Sequence, residues 1–159
     1  MTDIAPVEVT IHVPAAPADV FPYLTDPDRY VRWMGREATL DPVPGGGYRV
    51  AMADGFAAAG TFAVLLRPHL VVFTWGFADD EAASHTKGDG APGAGAMPAG
   101  STRVTVTLQG CGSGTRLTLR HENLPSEELR AAHEVAWNTY LPRLGVVAAG
   151  GDPGPDPHA

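Results

Sequence analysis

From Val7 to Val13 the chain reads VEVTIHV, with Val7, Val9, Ile11 and Val13 alternating with Glu8, Thr10 and His12. A strict period of two puts the four apolar side chains on one face, which predicts a half-buried strand. The period then changes. Pro17-Ala-Asp-Val-Phe-Pro-Tyr-Leu sets a proline at a helix start, an acid in the first turn, and Val20, Phe21 and Leu24 on one side. That is a short helix, which Pro22 kinks or ends. Asp26-Pro27-Asp28 opens a second short helix, with Tyr30, Val31, Trp33 and Met34 at helical spacing.

Six further segments, each bounded by turn residues, read as strands in succession: Glu37 to Asp41, Tyr48 to Met52, Ala58 to Leu66, Leu70 to Phe77, Thr102 to Leu108 and Thr115 to Glu122. Asp54-Gly55, Arg67-Pro68-His69 and Gly110-Cys-Gly-Ser-Gly114 supply reversals between them. Pro44-Gly-Gly-Gly47 is followed by alternating Tyr48, Arg49 and Val50 and by no Gly-Lys-Ser/Thr, so it predicts a hairpin turn and not a phosphate cradle. Ser126, an N-cap followed by two acids, begins a long amphipathic helix through Leu129, Ala132, Ala136, Trp137, Tyr140 and Leu144 to Gly150, which Pro142 should bend. The order β, α, α, six strands, α predicts an α+β fold: a curved antiparallel sheet wrapped around a long C-terminal helix, with two short helices after the first strand.

Composition narrows the function classes. The 159 residues, 44% hydrophobic, with a mean hydropathy of -0.05, suit one globular domain, expected over residues 1–149. No apolar run is long enough to span a bilayer, and Met1 to Pro6 lacks the basic start and apolar stretch of a signal peptide, so the expected location is the cytoplasm. A lone cysteine, Cys111, fits a reducing compartment. The net charge of -7, with 11 scattered Lys and Arg, argues against nucleic acid as a partner. Many of the 19 glycines and 15 prolines fall in residues 78–100 and 150–159, which are expected to be a flexible loop insertion and a disordered tail.

Taken in order, Pro17-Ala-Asp-Val-Phe, Thr25-Asp-Pro-Asp with Trp33 after it, Gly45-Gly-Gly-Tyr-Arg, Val72-Phe-Thr-Trp, Gly114-Thr-Arg-Leu-Thr-Leu-Arg-His-Glu with Leu124-Pro125, and Trp137 with Tyr140-Leu141 carry a family likeness. Over about Val7 to Gly150 the sequence resembles the START-like, or helix-grip, superfamily, in the branch of the C-terminal domain of the activator of the heat-shock protein 90 ATPase. The resemblance implies an internal apolar cavity, used by different members to bind lipids, hormones or polyketides, to assist cyclisation, or to dock on a chaperone. It does not imply one reaction.

Strand parity assigns the faces of the sheet. Tyr48, Val50, Phe62, Val64, Phe73, Trp75, Leu119 and His121 point to the concave side, as do Met52, Leu66 and Phe77. His133, Trp137 and Tyr140 of the last helix face them, and Trp33 closes one end. These twelve, Trp33, Tyr48, Val50, Phe62, Val64, Phe73, Trp75, Leu119, His121, His133, Trp137 and Tyr140, are the expected ligand-binding residues for a small apolar or amphipathic molecule. An enzyme reading uses the same cavity for cyclisation, dehydration or hydrolysis, with His121 as its acid-base candidate. A third reading is docking on a chaperone, and a homodimer stays open. Neither a metal nor a cofactor is expected: His121-Glu122 and His133-Glu134 begin like a zinc helix motif, but Pro125 and Trp137 stand where its second histidine belongs.

Overall fold

In the computed structural model, which describes residues 4–52, 56–78 and 97–157, seven strands form one antiparallel sheet. The strands are β1 (Val7–Val13), β2 (Glu37–Leu40), β3 (Gly47–Ala51), β4 (Ala57–Leu66), β5 (Leu70–Trp75), β6 (Thr102–Cys111) and β7 (Gly114–Glu122), in the spatial order β1-β7-β6-β5-β4-β3-β2. The perfectly alternating first segment therefore pairs with the last strand, Val7 opposite His121 and Val13 opposite Thr115.

Three helical turns separate β1 from β2: α1 (Pro17–Val20), α2 (Pro22–Thr25) and α3 (Pro27–Tyr30). Pro22 divides what the sequence suggests as one helix into two, since proline has no N–H to continue the ladder. The Asp26 side chain caps α3 by accepting from Asp28 N. That helix ends at Tyr30, so Trp33 and Met34 lie in the turn beyond it, both buried. α4 (Glu127–Ala148) is capped by the Ser126 hydroxyl, which accepts from Leu129 N, and it continues through Pro142. It lies across the concave face of the sheet, burying Leu129, His133, Trp137, Tyr140, Leu141, Leu144 and Val147. Gly145 brings it close to Ile11 and Val13 of β1.

The glycine-rich reversal closes the β2–β3 hairpin, with Leu40 opposite Tyr48. Gly45 takes a φ of 86°. Gly46 is so close to Asp41 that a Cβ would lie 1.9 Å from its carbonyl oxygen. The turn also bonds sideways to β4: Gly45 N donates to Phe62 O, and Phe62 N to Gly46 O, each at 2.8 Å.

Two expectations are corrected. The pairing of β4 with β5 slips between Phe62 and Val64, so that Phe62 faces Phe73, Val64 faces Val72 and Leu65 faces Val71. One extra residue turns the rest of the strand over. Val71 and Leu65 thus pack on the core, while Val64 and Leu66 fall on the convex face, where Leu66 is 59% exposed. The expected tail is also not free over residues 150–157: the Arg143 guanidinium donates to the carbonyls of Pro153, Gly154 and Pro155, and the Tyr140 hydroxyl to Asp156. Most of the expected loop, residues 79–96, lies outside the described residues. At its ends Met97 is fully buried and Phe77 bridges Pro98.

Candidate functional site

The concave face is filled by rings. Tyr48 stacks on Phe73 with centroids 4.5 Å apart, meets Phe62 edge-on at 5.7 Å, and lies 5.9 Å from Trp75. Trp33 packs on Tyr30 at 4.8 Å, and its indole N–H donates to the Tyr23 carbonyl. The hydroxyls of Tyr30 and Tyr48 bond to one another, and burial raises both phenols above their ordinary range. With Val50, Phe62, Phe73 and Leu119, these residues form close-packed core.

Further along the concavity the rings carry nitrogen, and tautomers follow from donors that have no choice. An indole N–H can only donate. Trp137 on α4 donates to Nδ1 of His121 on β7 at 3.0 Å, so Nδ1 bears a lone pair and the neutral ring carries its proton on Nε2. Nε2 lies 2.7 Å from Thr102 Oγ1 on β6, whose own hydroxyl donates to the Trp75 carbonyl on β5, also at 2.7 Å. The order is fixed: Trp137 to His121 to Thr102 to Trp75.

His133 on α4 is the opposite tautomer. Its Nδ1 lies 2.8 Å from the Leu129 carbonyl, which can only accept, and its Nε2 receives the Trp75 indole N–H at 3.3 Å. A sheet tryptophan thus donates to a helix histidine, and a helix tryptophan to a sheet histidine, with the two imidazoles edge-to-face at 5.0 Å and the two indoles at 5.2 Å. Burial holds both imidazoles neutral. It lowers His121, helped by the nearby His133, to about 3, and it lowers His133 as well.

Beside this network a cleft of about 250 Å3 opens between α4 and one end of the sheet. Trp75, Ala58, Leu129, His133, Trp137, Tyr140 and Met34 line its buried floor. Its mouth is formed by Ala132, Val135 and Ala136 of the helix and by Met52, Phe56 and Phe77 opposite. Small side chains at Ala132 and Ala136 leave the space that larger ones would fill. The helix is capped, and its i, i+4 spacing brings His133 and Trp137 to the floor together.

Of the twelve expected residues, Trp75, His133, Trp137 and Tyr140 line the cleft. Trp33, Tyr48, Val50, Phe62, Phe73, Leu119 and His121 lie in the core beneath or beside it, and Val64 is on the other face. The sequence reading did not select Met34, Phe56, Ala132, Val135 or Ala136 for the site. The alanines carry no signal of a ligand site, whereas Phe56 and Met34 carry an apolar one that falls outside the strand pattern.

A family model described as Activator of Hsp90 ATPase homolog 1-like protein matches residues 14–149. The chain belongs to this family. The fold is the START-like helix-grip fold that the sequence suggests. An AHSA1-like protein from Rhizobium etli, known from a solution NMR structure, is 39% identical over 99% of this chain and 93% of its own, with a TM-score of 0.70. DynU16, a protein of the dynemicin biosynthetic locus, is 22% identical over 94% of this chain with a TM-score of 0.73, and the chain spans 49% of its length. An HSP90 activator from Plasmodium falciparum is 20% identical over 91% of this chain and 96% of its own, with a TM-score of 0.66. The last two likenesses concern the fold alone. No curated protein matches the sequence. Among the described residues no helix is long and apolar enough to cross a membrane.

Proposed function

We propose that this AHSA1-like domain, expected over residues 1–149, binds a small apolar or amphipathic molecule in the cleft between α4 and the end of the sheet. The observation that carries the reading is a void of about 250 Å3 walled almost wholly by aromatic, methionine and aliphatic side chains. That is just below the range of about 300–1,000 Å3 typical of drug-sized ligands, which points to a molecule of one or two fused rings or a short branched chain. Burying roughly 300 Å2 of apolar surface contributes about 7 kcal/mol before the entropy of association is subtracted. Micromolar binding needs no more than this.

The enzyme alternative has less support. Both ring nitrogens of His121 are engaged, its side chain is fully buried, and it does not line the cleft. Proton transfer would require it to break a bond to Trp137 or Thr102 first. A chaperone partner, as the family description and the P. falciparum relative suggest, finds one favourable feature: the slip in β4 leaves Val64, Leu66 and Leu70 together on the convex face. The exposed free thiol of Cys111 fits a reducing compartment, and the cytoplasm is the location proposed.

Native mass spectrometry of freshly purified protein tests the binding reading, together with saturation binding of the apolar dye N-phenyl-1-naphthylamine followed through tryptophan fluorescence. One saturable site is expected. No saturable dye binding and no co-purified molecule would overturn it.

A further inference from the structure

Among the described residues, every polar side-chain atom at the floor of the cleft is already paired within the protein. The Trp75 indole N–H goes to His133, both nitrogens of His133 are used, the Trp137 indole N–H goes to His121, and the Tyr140 hydroxyl donates to Asp156. These partners are protein groups held by the helix, by β5 and β7 and by the C-terminal segment, so they do not swing toward a ligand without leaving another atom bare. Burial is graded from one end to the other. The floor residues Trp75, His133, Trp137 and Tyr140 are buried, whereas Ala132 and Val135 at the mouth are exposed, Val135 by 66%.

We propose, resting on the binding reading above, that the floor accepts only an uncharged ligand end without hydrogen-bonding atoms, such as a hydrocarbon ring, and that any polar substituent is carried on the end at the mouth. The occupant is thereby a molecule with one bare hydrocarbon end. A hydroxyl or carboxylate driven to the floor loses its water and, among the described residues, meets no side-chain donor that is not already engaged, the situation in which a buried polar group costs most. Met34 at the floor adds a polarisable, flexible surface that follows the outline of a ring without demanding polarity.

Three naphthalenes of nearly equal size test this: 2,6-dimethylnaphthalene, 6-methyl-2-naphthol and 2,6-dihydroxynaphthalene, each competed against N-phenyl-1-naphthylamine on the whole chain. Affinity is compared with each compound's own octanol–water partition, which removes the general effect of polarity. The first two should follow one line, because the naphthol can turn its hydroxyl to the mouth. The diol, which must send one hydroxyl to the floor, should bind at least about tenfold more weakly than that line requires. A diol on or above the line overturns the inference and leaves the binding reading standing, whereas failure of all three to displace the dye defeats that reading itself. His133→Leu supplies a second measurement. It frees the Trp75 N–H to face the floor, so in a variant shown to be folded the diol's deficit should shrink by severalfold; an unchanged deficit would mean that polar saturation of the floor is not its cause.

Discussion

Trp137 and His121 are joined across the interface of helix and sheet by one hydrogen bond of 3.0 Å, and the direction of that bond decides the tautomer of the imidazole. Protonating Nδ1 would set two N–H groups against each other. Burial and the nearby His133 hold the ring neutral, and a neighbour that can only give agrees with that state.

Stability should therefore fall with acidification earlier than carboxylates alone require. His121 is lowered in the folded protein to about 3 and His133 is lowered too, while both titrate near 6.5 when unfolded. Between these values the unfolded chain binds more protons, so stability is complete above about pH 6.5 and is lost as pH falls toward 3. Each histidine contributes a slope of up to about 1.4 kcal/mol per pH unit. Urea unfolding at pH 7.5, 6, 5 and 4 measures it. His121→Gln should flatten the curve in part, and a wild-type curve already flat over this range would contradict the burial of the two imidazoles in neutral form.

Replacing His121 by phenylalanine separates structure from chemistry. The Trp137 N–H is left buried without its acceptor, at a cost of about 1–3 kcal/mol, which equilibrium unfolding should register. Affinity of the folded variant for a bound probe should change by less than about tenfold, since His121 does not line the cleft. A folded variant that binds normally yet has lost a measurable conversion of a co-purified molecule would restore the enzyme reading.

Filling the mouth should remove binding without unfolding the protein. Ala132 is exposed on α4 and borders the cleft. Ala132→Phe is expected to lower dye affinity by about tenfold or more and to change stability by no more than about 0.5 kcal/mol, the ordinary range for a surface position. Titration and unfolding of the same preparation give both values. Retained affinity would place the dye elsewhere.

Arg143→Ala should release the C-terminal segment. The guanidinium is bonded to the carbonyls of Trp33, Pro153, Gly154 and Pro155, so its loss unpins both the turn after α3 and residues 150–157. Amide exchange at Gly154 and Asp156 should accelerate by tenfold or more. Unchanged exchange would mean that Tyr140 and Asp156 hold the segment without it.

Alternation made β1 readable to the residue, because Val7, Val9, Ile11 and Val13 leave no second parity. It failed in β4, where Val64-Leu65-Leu66 is apolar at every position and either face satisfies it. Pairing with β5 settled the face, and pairing is not a local property. The cleft was hidden for a related reason. Ala132 and Ala136 read as ordinary helix formers, and an unfilled volume belongs to the sum of its walls. The glycines and prolines of residues 150–157 indicate poor local order, yet prolines leave their carbonyls as pure acceptors, and a guanidinium has five donors to satisfy. His121 and His133 were readable as inward-facing, but their opposite tautomers needed the partners in three dimensions.

The crossed pairing of two tryptophans with two histidines also acts on what is not there. Apolar contact tolerates sliding and rotation, so a helix held only by oil-like surfaces would settle into any neighbouring hollow and erase it. Bonds to His121 and from Trp75 are directional and are set one turn apart on α4, at Trp137 and His133. A shift of a single residue, about 100° of rotation and 1.5 Å of rise, would break both. The helix works as a propped beam, and the hollow beside it persists because the beam is pinned at two points.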